Sequence, residues 1–257
     1  MSDIHHHLFG IDYGNLRPDQ YSNTFWKNLR RVQKTLPRRI KGVIAPKVNF
    51  TTVIADTSKP CLTPWSGWFA RTSEPADGCI IRGFETAVAI FNGDCPIISL
   101  VENDKLAVLH TGFRTLIREK KDEPNIIEVA MKQFSPSATK AFVGLGIGPC
   151  CWMPEYEDKP EVLYPSLSRH PDLLASCISR TTEVSPFGPG HTSVDLYKLA
   201  KGLLKEAGLS ENQIFIDDSP CTCCAEKKGK PLFWSHNRFK AGKQEVDGRN
   251  MAVAFLE

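Results

Sequence analysis

An α/β chain is predicted by two kinds of segment that take turns along the sequence. The first is the short apolar run. Between Thr86 and Arg114, Ala87 to Phe91, Pro96 to Val101 and Leu106 to Leu109 are each rich in Val, Ile and Leu, and the turn formers Asn92-Gly93-Asp94-Cys95 and Val101-Glu102-Asn103-Asp104-Lys105 separate them. Runs of this length bounded by turn residues are how strands buried on both faces read. The second is the amphipathic stripe with a period of about 3.6 residues. Phe25, Leu29, Val32 and Leu36 make one, with Lys27, Arg30, Arg31 and Lys34 outside it.

In chain order, residues 1–20 show no clean periodicity, and His5-His6-His7 reads either as a tag remnant or as native sequence. Ser22 or Asn23 caps the helix that carries the first stripe, and Pro37 ends it. Ile40 to Ala45 and Phe50 to Ala55 are expected as strands joined through Pro46-Lys47-Val48-Asn49. Ser58 to Asp77, with three prolines and two tryptophans, is expected to be a surface loop. Its Trp65 and Trp68 either cover a pocket mouth or pack the loop down. Cys79 to Arg82 begins the sheet that the central stretch continues.

Pro124 opens a second amphipathic helix with Ile126, Ile127, Ala130, Met131 and Phe134 on its apolar face. Lys140 to Leu145 is a strand, and Gly144 to Cys151 packs three glycines and a proline into a tight turn that presents backbone N–H groups. It has neither a dinucleotide fingerprint nor a phosphate-loop lysine. Residues 154–189 suggest short helices around Leu163 to Leu167 and Leu173 to Ile178. Asp195 then caps a helix carrying Leu196, Leu199, Leu203 and Leu204, which Gly208 closes. Gln213 to Ile216, Pro231 to Trp234 and Met251 to Leu256 are strand-like.

With 257 residues, no internal repeat and no linker, one domain over residues 1–257 is expected. A formal charge of +3 is too mild to announce nucleic acid, and the basic run from Lys27 to Arg39 is the solvated face of a helix. No apolar stretch approaches the roughly 20 residues of a membrane helix, and the N-terminal residues hold no apolar signal core. A soluble cytoplasmic protein is the expectation. Nine cysteines without an export signal turn attention from disulfides to thiol chemistry and metal binding. Cys79 and Cys177 sit in apolar company, as small core residues do.

Pairing of Pro96–Val101 with Leu106–Leu109 as a hairpin brings Cys95, just before the first strand, close to His110, just after the second. A thiolate and a neutral imidazole are good zinc ligands, but zinc needs a third protein ligand, and taken alone the two residues are better explained as a buried core thiol and a satisfied core histidine. Arg114 stands four residues past His110, as an anion clamp or as an ordinary surface ion pair.

Gly93-Asp94-Cys95-Pro96, His110-Thr111-Gly112-Phe113-Arg114, Gly144 to Cys151, Val194-Asp195-Leu196, Cys221-Thr222 and Gly248-Arg249 occur in the order and spacing of the laccase-domain (YfiH-type) family. That family is known by the labels polyphenol oxidase, purine nucleoside phosphorylase and peptidoglycan editing factor. The resemblance runs from about Phe25 to the end and rests on the motifs Ala-Asp-Cys-Leu-Pro and His-Ala-Gly-Trp-Arg, with Phe113 here in place of Trp. It implies mixed β-sheets with outer helices and a zinc held by His, Cys and His in a pocket where purine nucleosides react. Cys95 and His110 match two of those metal ligands. The segment matching the family's Gln-Val-His-Gly reads Lys47-Val48-Asn49-Phe50, so Asn49 stands where the remaining histidine is expected. His236, in Trp234-Ser235-His236-Asn237-Arg238, or one of His5 to His7 is the substitute the sequence offers.

The resemblance implies a zinc-dependent enzyme for adenosine deamination or for phosphorolysis of adenosine and inosine. Asp94 is then a proton carrier and Arg114 the phosphate clamp, while Asn49, Arg114, His236 and Arg238 contact substrate. The alternatives are an amidase-type hydrolase of cell-wall precursors and a non-catalytic relative. Copper-dependent phenol oxidation comes last, because one Cys and one His do not supply several copper centres. Cys150 and Cys151 with Cys221, Cys223 and Cys224 form a second group, a separate zinc site if Gly148–Cys151 folds against the later cysteines; adjacent cysteines seldom both ligate one ion, so packed free thiols are placed ahead of it.

Overall fold

The computed structural model describes residues 3–18, 22–58, 62–117, 123–153, 169–218 and 220–257. Two six-stranded sheets lie face to face. The first runs β1 (Ile4–Phe9), β16 (Asn250–Leu256), β7 (Thr86–Asn92), β2 (Gly42–Lys47), β5 (Phe69–Pro75) and β4 (Leu62–Ser66). The second runs β13 (Ile214–Ile216), β10 (Lys140–Gly144), β8 (Ile97–Glu102), β9 (Lys105–His110), β6 (Gly78–Arg82) and β3 (Ile54–Asp56). Both mix parallel and antiparallel pairs: β2 is parallel to β5 and β7, while β8 is antiparallel to β9 and β10. Two short ribbons, β11 (Ile178–Arg180) with β12 (Thr192–Val194) and β14 (Glu226–Lys227) with β15 (Lys230–Pro231), complete the strands described.

The continuous apolar runs follow from this layering, since each central strand buries both faces. On β7, Val88 and Ile90 point between the sheets, and Ala87, Ala89 and Phe91 point outward onto Phe25, Leu29 and Val32 of α1 (Asn23–Gln33). On β9, Leu106 and Val108 point between the sheets, while Ala107 and Leu109 meet the outer helices of the second sheet. Those helices are α2 (Phe113–Ile117), α3 (Ile126–Met131), α4 (Pro171–Cys177) and α5 (Leu196–Glu206). A final short helix is α6 (His236–Lys240). The caps are as the sequence suggests. The Ser22 side chain accepts from the Phe25 N–H, Asp195 accepts from the Lys198 N–H, and Gly208 closes α5 at φ +100°. Asn125 and Glu128 add a reciprocal capping box on α3. No helix among the described residues is long and apolar enough to cross a membrane.

Three sequence expectations change. Residues 58–77 are no loop, for they contain the β4–β5 hairpin at the sheet edge, where prolines are tolerated. Trp68 packs beside Phe69 on the α1 side of the sheet, away from any pocket mouth. Phe50 to Val53 is not strand: Phe50 is left-handed at φ +54°, and the chain crosses there from one sheet to the other. Residues 231–234 are mostly irregular. Cys61, the Trp65 side chain and the helix expected around 163–167 lie outside the described residues.

His5 to His7 belong to β1, paired with β16. His5 pairs with Glu257, the His7 ring stacks on Phe255, and His6 turns inward to hydrogen-bond Ser99 Oγ of the facing sheet at 2.8 Å. Burial, and then the neighbouring His7 and His5, push His6 from 6.5 down to about 4. A lowered histidine costs stability as pH falls, because below pH 6.5 the unfolded chain takes up a proton that the folded one refuses. The wild type is expected to lose more melting temperature between pH 6.5 and about 4 than His6→Gln; parallel melting curves for the two would show that His6 is free to protonate in the fold.

Candidate active site

Three connections from the first sheet to the second cross at one end of the sandwich. They are the loop from β2 to β3, the pair Ala76-Asp77 between β5 and β6, and Gly93 to Pro96 between β7 and β8. The end of β9 lies against them: the His110 N–H donates to the Asp77 carbonyl at 2.7 Å, and the Thr111 N–H to the Pro96 carbonyl at 2.9 Å. The β8–β9 register pairs Ile97 with His110 across a two-residue turn at Asn103-Asp104. Cys95, two residues before Ile97, therefore comes beside His110, close enough for its sulfur to act on the imidazole.

Asp77 was not legible as a functional residue, since it ends a segment that reads as loop. It is fully buried and accepts from His110 Nδ1 at 2.9 Å. It also accepts from the backbone N–H groups of Asn49, Phe50 and Thr51 at 3.2, 3.2 and 2.6 Å, and from Thr51 Oγ1 at 3.0 Å. Burial opposes the charge, but His110 and these donors hold the Asp77 carboxyl below its ordinary value. Burial also works against the His110 imidazolium, but the Cys95 sulfur and Asp77 outweigh it and raise His110 to about 10. The Phe50 ring stands edge-on over His110 with centroids 5.4 Å apart. Gly112 is closely packed here: a Cβ would stand 3.0 Å from Cys95 Sγ and 3.2 Å from the Phe50 ring, so those side chains would have to shift to admit one.

This group lies in the floor of a cleft of about 960 Å³. Phe50, Phe113, Trp152 and Phe187 supply aromatic surface, and Arg17, Arg71, Arg114, Lys240 and Arg249 supply positive charge. Arg114 is exposed on α2 and reaches the cleft. His236 also lines it, with Nδ1 3.2 Å from Asp247 Oδ1. Asn49 is exposed and is not part of the lining, so its described role is the backbone N–H given to Asp77.

Two expected site residues have other uses in the fold. Asp94, 6% exposed, accepts from Thr222 Oγ1, Ser235 Oγ, the Asn237 N–H and Asn237 Nδ2 at 2.7–3.1 Å, so both oxygens are engaged in holding the cleft walls together. Arg238 is buried and faces away from the cleft. Its guanidinium donates to the carbonyls of Cys223 and Phe233 and to Gln244 Oε1. Arg17, Arg71 and Lys240 come to the cleft from distant segments that share no pattern in the sequence.

Zinc in a catalytic site takes three protein ligands and an open position. Cys95 and His110 are two donors, and Asp77 is committed to the other ring nitrogen of His110. Among the described residues no further His, Cys, Asp or Glu converges on them. His5 to His7 lie on β1, outside the cleft lining. The described donors of the cleft therefore do not make up a complete zinc site. The described residues do converge elsewhere, at Cys150, Cys151, Cys221 and Cys224, a group that can bind a metal ion.

Residues 13–257 match the family described as multi-copper polyphenol oxidoreductase laccase. The chain belongs to this family. Its match begins twelve residues before Phe25. Purine nucleoside phosphorylases from two Xylella fastidiosa strains are 31% and 30% identical to the chain over 172 residues. Those matches cover 66% of this chain and 58% of each relative's length. The fold is shared with the Bacillus licheniformis hypothetical protein YfiH (TM-score 0.64, 17% identity, 91% of this chain and 81% of that one). It is also shared with YlmD from Geobacillus stearothermophilus (TM-score 0.64, 19% identity, 96% and 84%).

Removing the Asp77 carboxylate leaves a buried imidazolium and three backbone donors without their partner. Asp77→Ala is expected to cost about 3–5 kcal/mol in denaturant unfolding; a loss under about 1 kcal/mol would mean that water replaces the carboxylate. The raised His110 contributes stability that is complete below pH 6.5 and disappears as pH climbs through about 10. The stability gap between wild type and His110→Gln should accordingly narrow across that window, and a constant gap would indicate a neutral ring.

Proposed function

We propose that the chain is an enzyme of purine nucleosides that splits the bond between base and ribose with phosphate as acceptor. The observation that carries this reading is the charge of the cleft. Among the described residues five Arg and Lys line it, Arg17 and Arg249 of them shared with Asp247, and the one Asp described there, Asp94, has both oxygens engaged in internal hydrogen bonds. Such a lining favours an anionic co-substrate beside an aromatic one. The names of the Xylella relatives support the same class of reaction. The purine lies against the aromatic faces, and phosphate lies by Arg114. A phosphate oxygen forms a bond to ribose C1′ as the bond from C1′ to the base breaks, and the departing electron pair stays on the base. The base takes its proton from the Cys95–His110 pair, whose charge Asp77 balances from behind. Deamination at C6 is the weaker reading, because it asks for a metal-activated water where the cleft offers two ligands.

The contact chain from Cys95 through His110 to Asp77 favours a second reading, a thiol hydrolase of amides, in which the sulfur attacks, the imidazole carries the proton and the carboxylate orients the ring. Inosine and adenosine incubated with and without phosphate separate the two. The expected products are hypoxanthine or adenine with ribose 1-phosphate, in the presence of phosphate alone. Phosphate-independent amide cleavage with an acyl group trapped on Cys95 would replace this reading with the second.

Arg114→Ala should raise the KM for phosphate by roughly 10- to 100-fold, the worth of one hydrogen bond to a charged group, with stability within about 0.5 kcal/mol of wild type. A large fall in melting temperature with unchanged phosphate KM would make Arg114 a structural ion-pair partner.

A further inference from the structure

Away from the floor of the cleft, two tight turns press four sulfur atoms together. In the turn after Gly148, the Cys151 and Trp152 N–H groups both donate to the Gly148 carbonyl, at 3.1 and 3.2 Å. This helical curl sets the adjacent side chains of Cys150 and Cys151 roughly 100° apart, so both flank one point instead of projecting to opposite sides as they would in a strand. The second turn is closed by the Ala225 N–H on the Cys221 carbonyl at 3.0 Å, and it presents Cys221 and Cys224 to the same point. All four Sγ atoms lie within 4.8 Å of one another, and those of Cys150 and Cys224 are 3.8 Å apart.

We propose that Cys150, Cys151, Cys221 and Cys224 bind one structural zinc ion as a four-thiolate site. With Zn–S bonds of about 2.3 Å, tetrahedral geometry places the sulfurs roughly 3.8 Å from one another, so the present arrangement needs only a small contraction. An iron–sulfur cluster spreads its cysteines over several irons and holds them farther apart than the ligands of a single ion. Four soft sulfurs around one point select zinc over the hard cations. The Gly148 N–H donates to Cys221 Sγ at 3.2 Å, the kind of outer contact that fixes a thiolate ligand in place. Cys223 takes no part: it is buried in the helix-side core and its carbonyl holds Arg238.

The site would clamp one wall of the cleft. Trp152, next to Cys151, lines the cleft, and Thr222, next to Cys221, holds Asp94. The ion is therefore a staple between two turns whose neighbours shape the pocket, with no coordination position left open for substrate. This inference does not depend on the proposed nucleoside chemistry, because its readouts are metal content and sulfur–metal spectra.

The test uses the full chain, expressed without an affinity tag and purified without chelator. Elemental analysis is expected to find one zinc per chain, lost in Cys150→Ser and Cys224→Ser and kept in Cys95→Ser and His110→Gln. Cobalt(II) added to chelator-treated, reduced protein should give the intense sulfur-to-metal absorption and visible bands of a tetrahedral thiolate site. That measurement on the wild-type sequence stands even if a variant fails to fold. Reduced native protein that carries no zinc and gives no such cobalt spectrum would overturn the proposal. So would zinc retained in folded Cys150→Ser and Cys224→Ser, or zinc lost in Cys95→Ser or His110→Gln.

Discussion

The candidate site depends on one buried carboxylate. Asp77 stands where the chain passes between the sheets, and it gathers the Asn49–Thr51 crossing, the end of β9 and its own connection into one hydrogen-bonded unit. A bare carboxylate in that position would cost several kcal/mol of lost hydration. Three backbone N–H groups, one hydroxyl and an imidazole offset the cost, each hydrogen bond to a charged group contributing about 1.5–3 kcal/mol. The same contacts that keep Asp77 ionised keep His110 charged and aim it at Cys95. Stability and reactivity therefore share an origin here.

The remaining polar groups divide between holding and presenting. Asp94, Arg238 and Asn92 are buried, and Asp94 and Asn92 tie loops that are far apart in sequence. Asn92 Nδ2, for example, donates to the carbonyls of Cys95 and Leu145. Arg114, Lys240 and His236 lie on or beside short surface helices and face the cleft. A pocket assembled in this way can change the groups it presents without disturbing the buried set that shapes it.

The family description speaks of copper, the named relatives of nucleosides, and the cleft of this chain offers one thiol and one imidazole in contact. The backbone at the missing ligand is informative. Phe50, which the motif alignment sets against a family glycine, has φ +54°, a conformation glycine adopts readily and a bulky side chain adopts only at a cost of about 1–3 kcal/mol. Three N–H groups donated to Asp77 hold this crossing in place. The edge of the Phe50 ring covers His110.

By itself the sequence determined the layers. Val, Ile and Leu on both faces of residues 87–109 require a strand covered above and below, and the stripes at Phe25 and Leu196 name two of the covering helices together with their caps. It also determined that Cys95 and His110 meet, because a two-residue turn leaves the strands of β8 and β9 little freedom of register. The tertiary structure alone decided the rest. Asp77 and Arg71 belong to segments without periodicity, so nothing local marks Asp77 as the buried partner of His110 or Arg71 as lining the cleft. Arg238 and Asp94 carry charges that read as reactive until their partners, more than a hundred residues away for Asp94, are seen to engage them. The convergence of Cys150, Cys151, Cys221 and Cys224 was decided there as well, since two cysteine pairs some seventy residues apart become one group only when the turns that carry them pack together.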